Sequence, residues 1–257
     1  MKKLNGKKVV VIGGSRGTGL AIVKALVKEG ADLLVVSRNP ASLAEVAASL
    51  PGVRTLSADA TAETTIASVF QNEPDLVVLA AGAMPPYQPL QQLDWDTFST
   101  NWNTDVKAAY LIAHYALNAP VKPGTLVIFV ASGAALFGSP ISGGYAGSKR
   151  TQLFLANYAQ EASNRLKLGL RFVGLAPLRL MQGTGVGDVV IPAYAAYSGI
   201  SESDFKARMT LPQTKEDVAQ SVINMALQPP PLEEGNIWFV TEKGLLIEPK
   251  LKQLMGG

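Results

Sequence analysis

Residues 7–28 read KKVVVIGGSRGTGLAIVKALVK, and this stretch decides the fold. The apolar run Lys7–Ile12 predicts a buried strand, a glycine-rich turn follows it, and Leu20–Lys28 has helical spacing. Small residues let backbone amides at a helix start approach an anionic pyrophosphate, which the positive end of the helix dipole attracts. The turn residues expected to bind a dinucleotide are Gly13, Ser15, Arg16, Gly17, Thr18 and Gly19.

The rest of the chain alternates strands with helices, which is typical of an α/β protein with a buried parallel sheet. The later predicted strands are Asp32–Val36, Val53–Ser57, Asp75–Leu79, Thr125–Val130, Leu170–Leu175 and Asn236–Val240. The later predicted helices are Pro40–Leu50, one from Thr61, Asp94–Asn118, Tyr145–Lys167, one from Thr214, and short ones at Ile191–Tyr197 and Ser201–Met209. We therefore expect a single domain over residues 1–257.

Composition limits the classes of partner. Of the 257 residues, 47% are apolar and 17% are charged, and the 23 Lys and Arg exceed the 20 Asp and Glu by only three. With no long basic block, no nucleic-acid partner is expected. The absence of cysteine excludes disulfides and thiol chemistry. With no metal-ligand cluster, signal-peptide core or apolar run of transmembrane length, we expect a cytoplasmic protein with no metal and no membrane partner.

Side chains that follow the second and third predicted strands indicate which nucleotide binds. An acidic residue after the second strand would accept the ribose hydroxyls of NAD, whereas this chain has Ser37 and Arg38. Arg38 offers a bidentate cation for the additional phosphate of NADP, and Arg16 would approach that phosphate from another side. After the third strand, Asp59 beside Ala60 either accepts a hydrogen bond from the adenine amine or caps the next helix. We predict NADP(H), with solvated surface arginines as the alternative.

Ser132, Tyr145 and Lys149 are the candidate catalytic residues. Ser132 follows the strand Thr125–Val130, and the four-residue step from Tyr145 to Lys149 puts both side chains on one face of a predicted helix. A cation beside a phenol makes it more acidic, and a serine hydroxyl can bind the same substrate oxygen, so the set favours proton transfer. Taken alone, this spacing more often joins residues that merely share a face. Because a nucleotide-binding turn is predicted at the start of the chain, the catalytic interpretation becomes the favoured one.

The predicted helix Asp94–Asn118 contains two further polar candidates. Asp105 shares a face with Ala109, whereas Asn103 is rotated by about 200°, so that only one of the two can face the site. His114 is the only histidine of the chain. Because it has no partner in sequence, we expect it to lie on the helix surface or in a subunit contact rather than in the catalytic site.

The chain resembles the short-chain dehydrogenase/reductase family over essentially its whole length. The resemblance rests on the glycine turn, Ala80-Ala-Gly82 after the fourth strand, Ser132, Tyr145-x-x-x-Lys149 and Pro177 after the sixth strand. The 13-residue step from Ser132 to Tyr145 matches the usual separation in the family. The resemblance implies a doubly wound parallel β-sheet, a Rossmann fold, of about seven strands flanked by helices. It also implies hydride transfer between NAD or NADP and a carbonyl or alcohol carbon.

The resemblance assigns a role to each candidate. Tyr145 is the general acid in reduction and the base in oxidation, and Ser132 orients the substrate oxygen. Lys149 holds the nicotinamide ribose and makes the tyrosine more acidic. The further residues expected at the cofactor are Ala81, Gly82, Pro177 and Leu180.

Several residues depart from the family pattern. Ile12 stands where the glycine motif usually opens with threonine, and Leu79–Gly82 replaces Asn-Asn-Ala-Gly. Leu178 replaces the glycine after the sixth strand, and Gln182 or Thr184 takes the place of a threonine near the carboxamide. These changes concern support and cofactor orientation more than chemistry.

The departure with the largest expected consequence is Asp105, which matches the position of the helix asparagine in the family. That asparagine helps to hold a water in a proton relay to the lysine. A carboxylate can keep the water, but its charge favours protonated Lys149 and partly cancels the effect of the lysine on Tyr145. We therefore include Asp105 among the catalytic candidates and expect a higher working pH than asparagine would give.

Substrate, lid and assembly are predicted from loops and helix surfaces. Residues 178–212 follow the sixth strand, open with the glycine-rich Gly183–Asp188 and are expected to form a mobile lid. The two long helices resemble those that pair subunits in family tetramers, which predicts a homotetramer or homodimer. A hydrophobic ketone or cyclic alcohol is the expected small-molecule substrate, because apolar side chains are available at Met84, Phe137, Met181, Tyr194 and Tyr197.

Two other classes of function remain open at this point. A family member can use its cofactor without net redox, as an epimerase or dehydratase. Alternatively, the chain is a regulatory protein that senses NADP, which the altered support residues favour and the intact Ser132, Tyr145 and Lys149 disfavour.

Overall fold

One sheet runs through the part of the chain that the computed structural model describes, which is residues 2–179, 185–208, 213–231, 234–242, 244–248 and 250. Its eight strands have the order β3-β2-β1-β4-β5-β6-β7-β8. All neighbours are parallel except β7 and β8, which are antiparallel. The strands are β1 Lys8–Ile12, β2 Asp32–Ser37, β3 Arg54–Ser57, β4 Leu76–Leu79, β5 Leu126–Val130, β6 Arg171–Pro177, β7 Ile237–Thr241 and β8 Gly244–Ile247.

Helices cover both faces of the sheet. A 3-10 turn at Leu90–Gln92 precedes α4, and a π-helical turn at Trp102–Val106 joins α4 to α5. Within the described ranges, no helix combines the length and the hydropathy that crossing a bilayer requires. The α-helices are α1 Gly17–Lys28, α2 Pro40–Ser49, α3 Glu63–Gln71, α4 Trp95–Asn101, α5 Lys107–Asn118, α6 Ala134–Phe137, α7 Tyr145–Arg165, α8 Gly185–Tyr197, α9 Glu202–Arg208 and α10 Lys215–Leu227.

The core lies in two layers, because successive residues of a strand point to opposite faces of the sheet. Val10 and Ile12 of β1 pack in the layer that contains α3, α5 and α7. Val9 and Val11 pack in the layer that contains α1, α2 and α10. All five residues of β5 are buried, as expected for a central parallel strand with helices on both sides. This explains why the strands appear in the sequence as continuous apolar runs.

The sheet topology opens a crevice beside β1. In the sheet, β2 lies on one side of β1 and β4 lies on the other. The loops that follow β1 and β4 therefore diverge at the carboxyl ends of these strands. Gly13 enters the crevice with φ +87°, a left-handed conformation that favours glycine. A Cβ on Gly13 would collide with the backbone of Ala81, which follows β4. The glycine therefore lets these two loops meet.

The predicted doubly wound, single-domain Rossmann fold is confirmed, with several local corrections. The sheet has eight strands rather than about seven, because β8 was missed, and α6 was also missed. The helix expected over Asp94–Asn118 is interrupted by the π-helical turn. The helix expected at Ile191–Tyr197 begins earlier, at Gly185, so the glycine-rich segment is partly helical. The other boundaries agree with the prediction to within three residues.

Candidate active site

The three predicted catalytic side chains lie beside one cleft at the carboxyl ends of the strands. Ser132 follows β5, and Tyr145 begins α7, which carries Lys149 one turn later. All three residues line the cleft. Gly144 precedes α7, and a Cβ there would collide with the carbonyl oxygen of Phe98. The small residue therefore lets the start of α7 approach α4, which sets the position of Tyr145.

The Lys149 ammonium is buried and ion-paired. Its Nζ lies 3.0 Å from Asp105 Oδ2 and 3.2 Å from Gln152 Oε1. It also lies 5.5 Å from the centre of the Tyr145 ring. Burial acts to lower the pKa of Lys149, but the Asp105 carboxylate and Tyr145 outweigh it, so the pKa lies above its usual value. Lys149 is therefore a permanent cation near neutral pH.

The Asp105 carboxylate contacts the lysine directly. The expectation that only one of Asp105 and Asn103 faces the site agrees with the structure, in which Asp105 is 1% exposed and Asn103 lies at the surface. Asp105 belongs to the π-helical turn, a rare geometry that is frequent at functional sites. The carboxylate and the ammonium form a direct ion pair, with Asp105 Oδ2 3.0 Å from Lys149 Nζ.

Asp105 and Asn101 together hold the backbone of the loop that follows β4. Asp105 Oδ1 accepts a hydrogen bond of 2.7 Å from the Ala83 amide, and Asn101 Nδ2 donates one of 2.9 Å to the Ala83 carbonyl. Thr104 Oγ1 donates to the same carboxylate oxygen. A Cβ on Gly82 would lie 2.9 Å from Asp105 Oδ2, so the loop backbone packs on the ion pair. The carboxylate therefore positions both the lysine and this loop.

Gln152 closes the network from the other side. Its side chain is fully buried, and Nε2 donates a hydrogen bond of 3.0 Å to the Asp105 backbone carbonyl while Oε1 accepts from Lys149. The amide thus joins α7 to the π-helical turn. Lys149 Nζ donates a hydrogen bond to Gln152 Oε1 and forms an ion pair with Asp105 Oδ2, which accepts no hydrogen bond among the described residues.

The cleft contains nearly all of the residues predicted to bind the dinucleotide, and its free volume is about 250 Å³. Leu180 is the exception, because it lies outside the described residues. The predicted residues that line the cleft are Gly13, Ser15, Arg16, Gly17, Thr18, Gly19, Ser37, Arg38, Asp59, Ala60, Ala81, Gly82, Tyr145, Lys149 and Pro177.

The glycine turn fits a dinucleotide. Arg16 is the N-cap residue of α1 and makes no side-chain cap hydrogen bond, so that ligand oxygens can satisfy the amides of the first helical turn. A Cβ on Gly19 would collide with the Gly13 carbonyl oxygen, which shows how closely the turn folds onto the helix. Gly17 has φ +54° and no atom within 4 Å of its Cβ position. Its backbone therefore faces the open cleft.

The polar residues around the adenosine end of the cleft are placed by local contacts. Ser15 and Ser37 form a hydrogen bond of 2.9 Å, which joins the glycine turn to the end of β2. The Asp59 carboxylate accepts hydrogen bonds from the backbone amide and the hydroxyl of Thr61. The backbone bond makes the largest contribution to a lowered pKa of Asp59. Asp59 therefore supports the loop before α3, which begins at Glu63 rather than Thr61.

A second cavity adjoins the first and has a free volume of about 200 Å³. Ser132, Tyr145 and Arg179 line both cavities and so form their common wall. The other residues that line the second cavity are mainly aromatic or small: Pro85, Tyr87, Gly133, Ala134, Phe137, Gly138, Ser139, Ser142, Leu178, Val190, Tyr194 and Phe205.

Aromatic side chains from three segments close the second cavity. Tyr194 of α8 stacks on Phe205 of α9, with ring centroids 5.9 Å apart, and is hydrogen-bonded to Ser139. Tyr87 adopts a left-handed backbone conformation with φ +55°, which is uncommon for a residue other than glycine. Burial raises the pKa of both Tyr87 and Tyr194. Both phenols are therefore neutral near pH 7.

The residues predicted to bind the substrate have different positions. Phe137 and Tyr194 line the second cavity, whereas Met84 lines the dinucleotide cleft. Tyr197 is exposed and lines neither cavity, which corrects that prediction. Met181 lies outside the described residues, as do Gln182 and Thr184.

Sequence reasoning missed three residues that shape the site, namely Asn101, Gln152 and Arg179. The available signal for Gln152 was a polar residue three positions after Lys149, on the same face of the helix. Asn101 precedes Asp105 by four positions and gave a similar signal. No local pattern identifies Arg179, because its position depends on how distant loops meet. Tyr87 belongs to the proline-rich linker 83–89, for which the sequence left open a wall of the pocket or a simple connection, and it lines the second cavity.

His114 lies on the exposed surface of α5, away from both cavities. Its ring stacks on Tyr110, with centroids 5.4 Å apart. It lines neither the dinucleotide cleft nor the second cavity. The position agrees with the prediction of a surface or subunit-contact residue.

Three curated relatives share part of this chain. A hydroxynaphthalene reductase of Aspergillus fumigatus is 31% identical over 157 residues, which cover 57% of this chain and 57% of the relative. A 2,5-dichloro-2,5-cyclohexadiene-1,4-diol dehydrogenase of Sphingobium indicum is 29% identical over 191 residues, 69% of this chain and 74% of the relative. An L-xylulose reductase of Bos taurus is 32% identical over 130 residues, 49% and 53% of the two chains. The chain thus spans little more than half the length of two of these relatives.

Whole-fold and family comparisons agree with these matches. A solved structure described as a short chain dehydrogenase/reductase family protein superimposes with a TM-score of 0.70 and 21% identity, and covers 92% of this chain and 96% of its own. The sequence profile of the family described as short chain dehydrogenase matches residues 7–177. This match contains the glycine turn, Ser132, Tyr145 and Lys149. The chain therefore belongs to the short-chain dehydrogenase/reductase family, and its relatives support general oxidoreduction with a nicotinamide cofactor.

Proposed function

We propose that the protein is an NADPH-dependent oxidoreductase that reduces the carbonyl group of a hydrophobic ketone to an alcohol and catalyses the reverse oxidation. The observation that carries this proposal is the common wall of the two cavities, where Ser132 and Tyr145 face both the dinucleotide cleft and the second cavity. A substrate oxygen bound between these hydroxyls lies next to the cofactor site. The reductases and dehydrogenases among the relatives support the reaction class.

The proposed proton chemistry uses two hydroxyl groups. When bound, the nicotinamide supplies the hydride in reduction and accepts it in oxidation. Tyr145 gives its phenolic proton to the substrate oxygen as the carbonyl becomes an alcohol, and takes a proton from the alcohol in the reverse direction. Ser132 donates a hydrogen bond to the same oxygen and fixes its direction. Solvent returns the proton to Tyr145 after reduction.

Lys149 and Asp105 support Tyr145 in this proposal. The Lys149 ammonium stabilises negative charge on the phenolic oxygen, and an N–H not used by Gln152 holds the nicotinamide ribose. Asp105 orients the ammonium through the 3.0 Å ion pair and reduces its effect on Tyr145. Phosphate groups of NADPH are proposed to bind the amides of the glycine turn, and the 2′-phosphate to bind Arg38 and Arg16.

The substrate is proposed to enter the second cavity, where α8 and α9 act as its lid. Tyr194 and Phe205 join these two helices to the cavity wall. The apolar and aromatic lining favours a hydrophobic or cyclic ketone. Exclusion of water by these rings strengthens the hydrogen bonds that Ser132 and Tyr145 make to the substrate oxygen.

A spectrophotometric screen tests this function. NADPH oxidation at 340 nm is followed with a panel of aromatic, alicyclic and aliphatic ketones, and alcohol formation is measured in parallel. Equal amounts of NADPH consumed and alcohol formed are expected. Conversion of a substrate without NADPH consumption would instead identify an epimerase or dehydratase.

A regulatory protein that senses NADP is the second candidate, because the Asp105 carboxylate partly neutralises Lys149. The screen separates it from the enzyme. Tight NADPH binding without conversion of any ketone or alcohol would support the sensor and contradict the reductase. Binding is measured by the fluorescence of bound NADPH, so this readout does not depend on turnover.

Replacing Arg38 with alanine is expected to raise the dissociation constant for NADPH by about 10- to 100-fold, the effect of losing hydrogen bonds to a charged group. The constant for NADH is expected to stay unchanged, because NADH lacks the 2′-phosphate. Fluorescence titration with both cofactors measures the difference. Arg165→Ala, at the opposite end of α7, is the matched control and should affect neither cofactor. Equal weakening of NADPH and NADH by Arg38→Ala would contradict the phosphate role.

Homo-oligomerisation through α5 and α7 is also proposed, as a homotetramer or homodimer. These neighbouring helices expose stacked aromatic pairs, Tyr110 with His114 and Phe154 with Tyr158. Tyr158 is 62% exposed. We expect Tyr158→Glu to shift the mass measured by light scattering toward the monomer, whereas Leu227→Glu on α10 leaves it unchanged. A monomeric wild-type protein would exclude the assembly.

A further inference from the structure

Arg179 lies at the junction of the two cavities, two residues after β6. It lines both the dinucleotide cleft and the second cavity, as Ser132 and Tyr145 do. Among the described residues around the second cavity, Arg179 is the only one with a formal charge at neutral pH. Arg179 is an exposed residue that borders both cavities, so its guanidinium is the one described cation available at the largely apolar and aromatic second cavity.

The backbone at Arg179 is firmly held. Its amide donates a hydrogen bond of 3.0 Å to Gln213 Oε1, and Gln213 Nε2 donates one of 2.7 Å to the Val240 carbonyl of β7. The preceding residue, Leu178, also donates to Val240. A Cβ on Gly133 would collide with the Leu178 carbonyl, so the segment packs against the loop after β5. These contacts fix the backbone position from which the Arg179 side chain extends.

No anion of the described chain balances the guanidinium. The ion pairs among the described residues do not include Arg179. Tyr87 and Tyr194 are neutral, since burial raises the pKa of both. The charge is thus available to a ligand.

We infer that Arg179 binds a carboxylate group of the substrate, so that the natural substrate is an aromatic or alicyclic oxo acid. This inference rests on the proposed function and narrows its substrate class. The guanidinium matches a carboxylate with two parallel hydrogen bonds, while Ser132 and Tyr145 bind the carbonyl oxygen. The rings available to the body of the substrate are Tyr87, Phe137, Tyr194 and Phe205.

The cofactor phosphates are a less suitable partner for Arg179. The amides proposed to bind the pyrophosphate belong to the glycine turn, and Arg16 and Arg38 flank the same part of the cleft. None of these residues lines the second cavity. A carboxylate on the substrate, in contrast to the cofactor phosphates, lies with its negative charge in the second cavity.

Steady-state kinetics with a matched pair of ketones tests the inference, using 4-acetylbenzoate and its methyl ester with NADPH. The wild-type KM is expected to be lower for the acid by about 10- to 100-fold, because only the acid offers a charged partner. Arg179→Gln should remove the preference, so that the KM of the acid equals that of the ester in this variant. Arg179→Lys keeps the positive charge but cannot form two parallel hydrogen bonds to a carboxylate. It should therefore restore part of the preference for the acid over the ester. Arg165→Gln is the control substitution.

Binding without turnover provides the second readout. Calorimetric titration of the NADP⁺-loaded protein with benzoate should show binding to wild type and none to Arg179→Gln, and fluorescence titration measures the NADPH affinity of the two proteins in parallel. Equal KM values for acid and ester in the wild type would overturn the inference and leave the reductase function intact. A weaker NADPH affinity of Arg179→Gln with unchanged acid preference would also overturn it. Benzoate binding that needs Arg179, in a protein without ketone turnover, would support the anion site and contradict the reductase.

Discussion

Tyr145→Phe is expected to lower carbonyl turnover by about 100- to 10,000-fold, the usual contribution of a positioned general acid. The substitution removes the phenolic hydroxyl but keeps the ring and its packing beside Lys149. Ser132 can still hydrogen-bond the substrate oxygen, but it cannot take over the proton transfer. Tyr87 and Tyr194 cannot replace the acid either, because burial raises their pKa and they release protons less readily.

The measurement must separate chemistry from cofactor binding. The kcat for the best ketone found in the screen is compared with the NADPH dissociation constant from fluorescence titration, and only kcat should fall. Tyr194→Phe is the matched control, since it removes a phenol from the same cavity and leaves the proposed acid in place. Turnover of Tyr145→Phe close to that of the wild type would refute the assignment of the acid.

Local sequence determines most of the sheet because the strands are covered on both faces. Each fully buried strand residue such as Val127 or Phe129 contributes about 1.5–3 kcal/mol, so the core requires continuous apolar runs that are visible in the sequence. β8 was missed for the opposite reason. Gly244–Ile247 is four residues long and only partly buried, and it is a strand because it pairs with β7 across a short turn. Its stability comes from the neighbour rather than from its own pattern.

The motif residues of the site were predictable because a strand end or a helix turn fixes each one. Ser132 follows a strand, and the four-residue step from Tyr145 to Lys149 is one turn of α7. The partners of Lys149 were harder to predict. A straight α-helix places Asp105 on the correct face, but the π-helical turn and the buried amide of Gln152 produce the direct contact. Such contacts depend on how α5 packs against α7. The residue spacing within either helix does not predict this packing.

The second cavity depends still more on tertiary structure. Its walls come from the loop after β4, the segment around α6, the residues after β6 and the helices α8 and α9. Of the apolar loop residues expected at the substrate, Phe137 and Tyr194 line this cavity, whereas Tyr197 is exposed on α8. Arg179 had no local signal, since a single arginine after a strand is usually a solvated surface residue.

Asp105→Asn is expected to destabilise the fold by about 3–5 kcal/mol, the cost of leaving a buried ammonium without its counter-ion. Because the pKa of Lys149 is raised in the folded state, the stabilisation from its charged form is complete below the unfolded value of 10.5 and is lost only as the pH rises through the folded pKa. In the wild type this stabilisation should therefore be constant between pH 6 and 9. Urea unfolding at several pH values measures it, with the exposed Asp96→Asn on α4 as an isosteric control.

The same substitution should move the acid limb of the pH–rate profile for alcohol oxidation to lower pH. In the wild type, the carboxylate 3.0 Å from Lys149 Nζ offsets the positive charge that acts on the phenol. Asparagine keeps the shape and can still accept the hydrogen bond from the Ala83 amide, but it removes the negative charge. Lys149 then favours ionised Tyr145 more strongly, provided that the ammonium keeps its proton. Superimposable profiles, or a shift to higher pH, would show that Asp105 acts on stability and loop position alone.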